Sequence, residues 1–414
     1  MQSSKKNTAS KKQITSNTIY TIAGALVLNG VLQLFVYPNL NKRMGAAEIG
    51  VVLYIMAFVN ILGPSIGQAM NNSRLVLRRD LDVTNGDYNL SILLFGTAGM
   101  IVSLIMMRSS LVKSQGSTHM GLIPLVVLSG LLILTTIYRY YGDVEYRLTL
   151  NYRHYFLYYL ICSIGYLGGY LLYRVTGNWF LIFLAGECAA LIYVTAGGHI
   201  FRPLLNRSSL FTTVLQRGAI LTLSYFITNL TLNIDRLYLN NTLGSESVTI
   251  YYVVSLIGKT LVLFVAPINT IIISYMTKSK QKTGRGQFLK LAGAGIAVSL
   301  VFWVLCQIGT PIFIRLFYPD LAEASRPLIT VVNLTQILAM LSAYLFIIVL
   351  TFTSEHWQLG LQIAHLCLLL ILISILTPRG GLYGFSAAVL IANCIRIGAV
   401  LVLGFVKASV SADS

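Results

Sequence analysis

About twelve successive runs of roughly twenty mostly apolar residues fill this chain, and they limit what it can fold into. A helix that crosses a lipid bilayer needs about 20 such residues. Only 10% of the residues are charged and 56% are hydrophobic, whereas soluble domains carry roughly 25% charged residues. The sequence therefore predicts an all-α integral membrane protein, with spans near residues 15–38, 47–71, 87–107, 120–141, 154–174, 178–198, 212–236, 248–274, 289–309, 327–351, 357–377 and 381–406.

This composition excludes a cytosolic enzyme, a secreted disulfide scaffold and a disordered protein. All five cysteines lie inside apolar runs, and no two form a CxxC pair. We expect them to be small buried residues rather than disulfide partners or metal ligands. The sequence has no G-x-x-x-x-G-K-[ST], HExxH or G-x-S-x-G motif, so we predict no catalytic residue, no metal and no cofactor.

The basic residues are distributed unevenly between alternate loops. With the N-terminus in the cytoplasm, nineteen of the 30 lie in cytoplasmic segments and nine in outer loops, which fits the positive-inside rule. We therefore expect a multi-pass protein of the cytoplasmic (inner) membrane, with cytoplasmic tails at 1–14 and 407–414. The net charge of +17 then reflects basic loops beside anionic membrane lipids, not a nucleic-acid partner.

A segment after the first run resembles a segment after the seventh. Residues 42–58, KRMGAAEIGVVLYIMAF, align at a constant offset of 199 positions with residues 241–257, NTLGSESVTIYYVVSLI. Gly45 then corresponds to Gly244. Chance similarity between two apolar helices after a glycine turn is the alternative. A duplication predicts two pseudo-symmetric six-helix bundles, 15–205 and 206–406, around a central cavity.

Ionisable side chains inside the spans need a partner or a hydrated cavity. Lys259 lies near the middle of span eight with Tyr252 and Ser255 on the same face. It is either a cationic site for an anionic headgroup or a member of an internal ion pair, for example with Glu187. Glu187 and Arg396 are predicted as coupling or ion-pair residues, and the further candidate His365 as a hydrogen-bonded core histidine.

Polar side chains also recur at helical spacing in spans one, two and seven. Small and polar residues on one face can join helices to each other, but repeated amides favour a hydrophilic cavity. The remaining candidates for substrate binding there are Arg217, Asn29, Gln33, Asn60, Gln68, Asn71, Asn229 and Asp235.

Tyrosines cluster around the loop between spans four and five. Their position beside a basic loop predicts an aromatic belt at the membrane interface, and stacking on sugars is the alternative. The cluster comprises Tyr138, Tyr140, Tyr141, Tyr146, Tyr152, Tyr155, Tyr158 and Tyr159.

Two stretches resemble polysaccharide transporters of the Wzx type, in the MATE-like MOP flippase superfamily. Asn17 with residues 37–50, YPNLNKRMGAAEIG, resembles the exit of that family's first helix. Residues 233–259, NIDRLYLNNTLGSESVTIYYVVSLIGK, resemble its seventh-helix exit, where Asp-Arg precedes a short loop and an aromatic-rich span. Span one has no arginine, unlike the related peptidoglycan-precursor flippases, which argues against lipid II as the substrate.

The resemblance implies two bundles that open alternately to the two membrane faces. It implies export of oligosaccharide repeat units on undecaprenyl pyrophosphate, for surface polysaccharides such as O-antigen or exopolysaccharide. Lys259 would match the cationic position of span eight, a candidate for phosphate binding. The expected partners are this lipid-linked oligosaccharide, membrane lipids, a polysaccharide polymerase and glycosyltransferases.

Three other classes of membrane protein compete with this interpretation. A MATE-like ion-coupled exporter of small molecules needs carboxylates in the membrane, and only Glu187 lies clearly at that depth. A membrane polymerase or glycosyltransferase would normally need carboxylates or a large external loop, and the outer loops hold only Glu48, Asp235, Glu246, Asp320 and Glu323. A major-facilitator transporter would carry G-x-x-x-D-R-x-G-R-R between spans two and three, and the sequence lacks it.

Overall fold

The fold is seen in a computed structural model of the chain. It describes residues 2–77, 83–278, 284–350, 353 and 355–408. Among these, the side chains of residues 2–15, 117, 262–278, 350, 355, 356, 358 and 359 are not described. The predicted basic tail, part of the loop between spans eight and nine, and most of the predicted C-terminal tail therefore lie outside the described side chains.

Almost all described residues lie in helices, as the apolar runs predict. Each helix satisfies its own backbone hydrogen bonds, which a bilayer requires. The α-helices are α1 (Gln2–Gly30), α2 (Tyr37–Met44), α3 (Ala46–Leu62), α4 (Ala69–Leu77), α5 (Asn85–Met106), α6 (Arg108–Thr118), α7 (Leu122–Gly142), α8 (Val144–Leu148), α9 (Tyr152–Thr176), α10 (Phe180–Gly197), α11 (Phe211–Thr242), α12 (Ser245–Lys278), α13 (Arg285–Phe317), α14 (Ala322–Ser325), α15 (Ile329–Leu350) and α16 (Glu355–Lys407).

Nine stretches of the described chain are long and apolar enough to cross a membrane. They cover ten of the predicted spans, because the last two are merged in α16, where Gly381 interrupts the helical geometry. The predicted spans seven and eight correspond to α11 and α12, of 32 and 34 residues. The chain is thus a multi-pass membrane protein.

Two wider helical turns interrupt the first two spans. The segment Val31–Val36 joins α1 to α2, and Gly63–Gln68 joins α3 to α4, both with π-helical geometry. Such turns place an extra residue in the helix and are frequent at functional sites. Pro64 lies in the second turn, where its missing N–H already breaks the regular ladder.

The contacts divide the chain into two compact units, Met1–Leu237 and Tyr238–Ser414. Most of α11 therefore packs with the first unit. The sequence-based bundle boundary at residues 205 and 206 rests on the count of spans and stays a prediction.

The proposed repeat has matching local structure in the two units. Gly45 and Gly244 adopt φ of +80° and +89°, a region that favours glycine, and each directly precedes a helix. Ile49 and the corresponding Val248 are both 1% exposed. This agreement of backbone and burial is what a duplication predicts, and chance similarity between two apolar helices after a glycine turn stays the alternative.

Candidate functional site

Close packing of two helices positions the polar residues of the second span. A Cβ on Gly67, in the Gly63–Gln68 turn, would lie 2.3 Å from the carbonyl oxygen of Ile137 in α7. Only glycine allows this approach, which brings the start of α4 against the end of α7. Asn71 of α4 is buried there and donates to the carbonyl oxygen of Tyr140 at 3.2 Å.

Several hydrogen-bonding side chains lie between the second span and α11, and we call this group the polar seam. Its members are Ser65, Gln68, Asn71 and Asn72 of the second span and Tyr225 and Asn229 of α11. Asn229 donates to the Ser65 hydroxyl at 3.2 Å, and Asn72 donates to the Tyr225 hydroxyl at 2.5 Å. Gln68 donates to the Asn72 side chain at 3.3 Å. The predicted candidates Gln68, Asn71 and Asn229 are therefore brought together within the first unit.

Two charged residues near the junction of α7 and α8, Asp143 and Arg147, make hydrogen bonds to the polar seam. The Asp143 carboxylate accepts hydrogen bonds from Asn71 and, at 2.7 Å, from the Tyr159 hydroxyl. The Arg147 guanidinium donates to Asn71 at 2.9 Å and to Asn72 at 3.3 Å. The Asn71 side chain is fully engaged, so it positions its neighbours rather than offering free groups to a substrate.

Glu187 of α10 has its partner in α7. Its carboxylate accepts from Arg139 Nε at 2.5 Å and from the Tyr166 hydroxyl at 2.8 Å. The two charged side chains are 5% and 4% exposed. Because the charge of Glu187 is neutralised inside the first unit, this carboxylate is not available as a free acid.

The tyrosine cluster is not simply an interfacial belt, and that expectation is wrong for its buried members. Tyr158 and Tyr159 are 0% and 8% exposed. Tyr158 donates to the carbonyl oxygen of Arg139 at 2.9 Å, and Tyr141 accepts from Arg74 at 2.6 Å. Half of the eight are buried, since a helix end packed among other helices removes its aromatic rings from the interface: Tyr141, Tyr146, Tyr158 and Tyr159.

The other candidates of the first unit lie apart from this network. Asn29, just before the Val31–Val36 turn, and Gln33, within it, are half-buried and joined by a hydrogen bond of 3.4 Å. Asn60 of α3 is half-buried, and Arg217 of α11 is exposed. Asp235, near the end of α11, is buried.

The candidates of the second unit include Lys259 on α12. Tyr252 and Ser255 are buried at 2% and 0% exposure, whereas Lys259 is half-buried. A Cβ on Gly258 would lie 2.5 Å from the Cβ of Gln336, so α12 touches α15 next to Lys259. This contact places Lys259 close to Gln336 of α15.

Arg396, on the second half of α16, also lies beside α15. One turn before it, Asn393 donates to the carbonyl oxygen of Thr335, the residue that precedes Gln336. The Arg396 guanidinium lies 5.9 Å from the ring centre of Phe346. Among the described side chains, no carboxylate lies within ion-pair distance of Arg396.

Arg396 and two other residues of α16 have buried polar atoms without a hydrogen-bond partner among the described residues. These atoms are Nε of Arg396, Nδ1 of His365 and Oε1 of Gln362. His365 is 7% exposed and makes a hydrogen bond to the backbone of Ala392. The prediction of a hydrogen-bonded core histidine is therefore confirmed, and only its Nδ1 has no protein partner in the described structure.

Sequence reasoning missed several members of the network in the first unit. Asn72 and Tyr225 lie at helical spacing from predicted residues, so that pattern could have included them. Asp143 and Arg147 were assigned to a loop region. Nothing in the sequence paired Arg139 with Glu187, because the two are 48 positions apart on different helices.

Comparison with known proteins gives matches in structure alone. No family model matches the sequence, and no curated protein matches it. A structure of the lipid II flippase MurJ in an inward closed conformation matches with a TM-score of 0.66 and 17% identity, over 93% of this chain and 87% of that chain.

Two MATE structures match over similar lengths. One, in the straight conformation, has a TM-score of 0.62 and 16% identity, over 96% of each chain. The other is an inward-facing multidrug resistance transporter of the MOP superfamily, with a TM-score of 0.60 and 17% identity over 94% of each chain. The chain therefore has the fold of the MATE transporters and MurJ.

Proposed function

We propose that this protein is a flippase of the MOP superfamily, of the Wzx type. Its substrate would be an oligosaccharide repeat unit on undecaprenyl pyrophosphate, carried across the cytoplasmic membrane for surface polysaccharide synthesis. The observation that carries this proposal is the pair of basic side chains, Lys259 and Arg396, on two helices that pack against α15 within the second unit.

A buried cation in a membrane protein needs an anionic partner, because an ionised side chain at the bilayer centre costs about 3 kcal/mol or more. Arg396 has no described carboxylate beside it, and a ring contact such as that with Phe346 gives only about 0.5–2 kcal/mol. A pyrophosphate would supply the missing charge. Arginine binds such groups through two parallel hydrogen bonds, and lysine binds them as a point charge.

The fold supports transport by alternating access. Structures with this fold have been described in inward-facing and outward-facing conformations. One carries the name of a lipid II flippase. The half-buried amides of Asn29, Gln33 and Asn60 would then serve as hydrogen-bonding groups for sugar hydroxyls.

A MATE-like exporter of small molecules is the second candidate, because its fold is the same. Such an exporter would use a membrane carboxylate to bind a cationic drug or a coupling ion. Glu187 is instead paired with Arg139 at 2.5 Å, and the intramembrane charge of the second unit is positive. Both features favour an anionic substrate.

Deletion of the gene in its host, followed by mass analysis of undecaprenyl-linked sugars, tests the proposal. The deletion should accumulate a complete repeat unit, which wild-type protein removes. Lys259→Ala and Arg396→Ala should fail to remove it at equal membrane levels, while Lys259→Arg retains part of the function. The exposed Lys290 of α13 gives the matched control, Lys290→Ala.

Normal levels of lipid-linked sugars in the deletion would overturn the flippase proposal and favour the small-molecule exporter. Accumulation that both alanine variants fully relieve would leave the function intact and show that the two cations are not its anion site.

A further inference from the structure

The first unit contains an apolar groove whose lining includes none of the residues proposed above to bind the substrate. Its walls come from α3 with the following π-helical turn, from α5 and from α11, and it has a volume of about 560 Å³. This volume lies in the range of ligand pockets, roughly 300–1,000 Å³. Each wall contributes one phenyl ring: Phe58, Phe95 and Phe226.

The groove is long and open on one side. Its lining on α11 begins at Ala219 and ends at Leu237, about 27 Å at 1.5 Å per residue. Leu223 and Met106, at its edge, are 62% and 57% exposed. A groove of this shape inside a membrane-spanning unit suits a hydrocarbon chain better than a compact drug.

Its inner wall meets the polar seam at Ser65. This residue lines the groove and also accepts the hydrogen bond of Asn229 at 3.2 Å. On the same stretch of α11, Phe226 and Leu230 line the groove while Tyr225 and Asn229 face the polar seam. An apolar and a polar surface therefore adjoin along one helix, which matches the two ends of an amphiphile.

We propose that this groove holds the isoprenoid chain of the lipid carrier while its headgroup crosses the membrane. The inference rests on the proposed function and adds a subsite for the chain. Lipid tails are as apolar as leucine side chains, so burial of a chain from the bilayer gives little driving force. Selection of the chain must come from shape and from the three phenyl faces, which offer flat contact surfaces to its double bonds.

Photo-crosslinking in cells tests this assignment on the full chain. Leu223, which lines the edge of the groove, and Ile220, outside it, lie about one turn apart on α11 and are 62% and 71% exposed. Each is replaced in turn by p-benzoylphenylalanine, and the lipid adducts are identified by mass analysis. The ratio of prenyl-phosphate to phospholipid adducts should be several-fold higher at position 223.

An equal ratio at the two positions, or phospholipid alone at position 223, would overturn the proposal by showing an ordinary lipid-facing groove. Ala219→Trp fills the groove and should reduce polysaccharide export, whereas Ile220→Trp should not. If wild-type protein restores export but the adduct ratios are equal, the groove assignment fails and the flippase stands. If the deletion leaves lipid-linked sugars normal, the flippase itself fails.

Discussion

Removal of the charge of Glu187 is expected to destabilise the first unit strongly. Arg139 Nε lies 2.5 Å from its carboxylate, with the side chains 5% and 4% exposed. In Glu187→Gln the guanidinium stays buried beside an amide and the Tyr166 hydroxyl. The loss of one partner from a buried ion pair costs about 3–5 kcal/mol, because the other charge is left uncompensated.

The double variant with Arg139→Met and Glu187→Leu gives the informative comparison. Apolar residues of similar volume in place of a buried pair are often neutral or stabilising, so this variant should be more stable than Glu187→Gln. The free energies of unfolding are measured by SDS titration of the purified protein in mixed micelles. Cys188→Ala, at the next position of α10, controls for changes in packing.

Two results would refute this reasoning. A loss below about 1 kcal/mol for Glu187→Gln would mean that the pair behaves like a solvent-exposed one. A double variant less stable than either single variant would mean that the two side chains stabilise the unit through packing and not through their charges.

Four further substitutions follow from the geometry. Gly67→Ala should cost about 1–3 kcal/mol in the same SDS titration, because its Cβ would lie 2.3 Å from a carbonyl oxygen of α7. Asp87→Ala removes the acceptor of the Ser208 N–H at 2.8 Å and of its hydroxyl at 2.6 Å, so limited trypsin digestion should cut the basic linker between α10 and α11 faster. Gly45→Ala and Gly244→Ala should each cost about 1–2 kcal/mol through their positive φ, and clearly unequal losses would count against the repeat.

The membrane-spanning helices could be predicted from the sequence, because length and apolarity alone select them. The span expected at 87–107 is Asn85–Met106, and the span expected at 178–198 is Phe180–Gly197. The predicted ends of a span are wrong where its helix continues beyond the apolar run. The second span, for example, extends to Leu77, since its polar amides are satisfied by α7, α8 and α11.

The partners inside each unit were much harder to predict. Helical spacing identifies the face on which Asn71 and Gln68 lie, but it does not identify the helix that meets this face. That choice depends on close contacts such as the one between Gly67 and α7. For the same reason the sequence suggested Lys259 as an example partner for Glu187, whereas packing of α10 against α7 places Arg139 there.

The charge of the second unit was easier to anticipate than its geometry. A lysine in the middle of an apolar run is visible at once in a sequence. The placement of Lys259 and Arg396 beside α15 depends on two contacts, Gly258 with Gln336 and Asn393 with the carbonyl group of Thr335. Neither contact has a signature in the sequence.

Transport by the purified protein gives the most direct test of the central claim. The protein is reconstituted into vesicles that carry an undecaprenyl-pyrophosphate oligosaccharide, and a membrane-impermeant enzyme modifies only the sugars on the outer leaflet. The account predicts that wild-type protein exposes the inner pool of sugars to the enzyme, and that Lys259→Ala and Arg396→Ala slow this exposure. Vesicles in which wild-type protein leaves the inner pool protected, as in protein-free vesicles, would contradict the account.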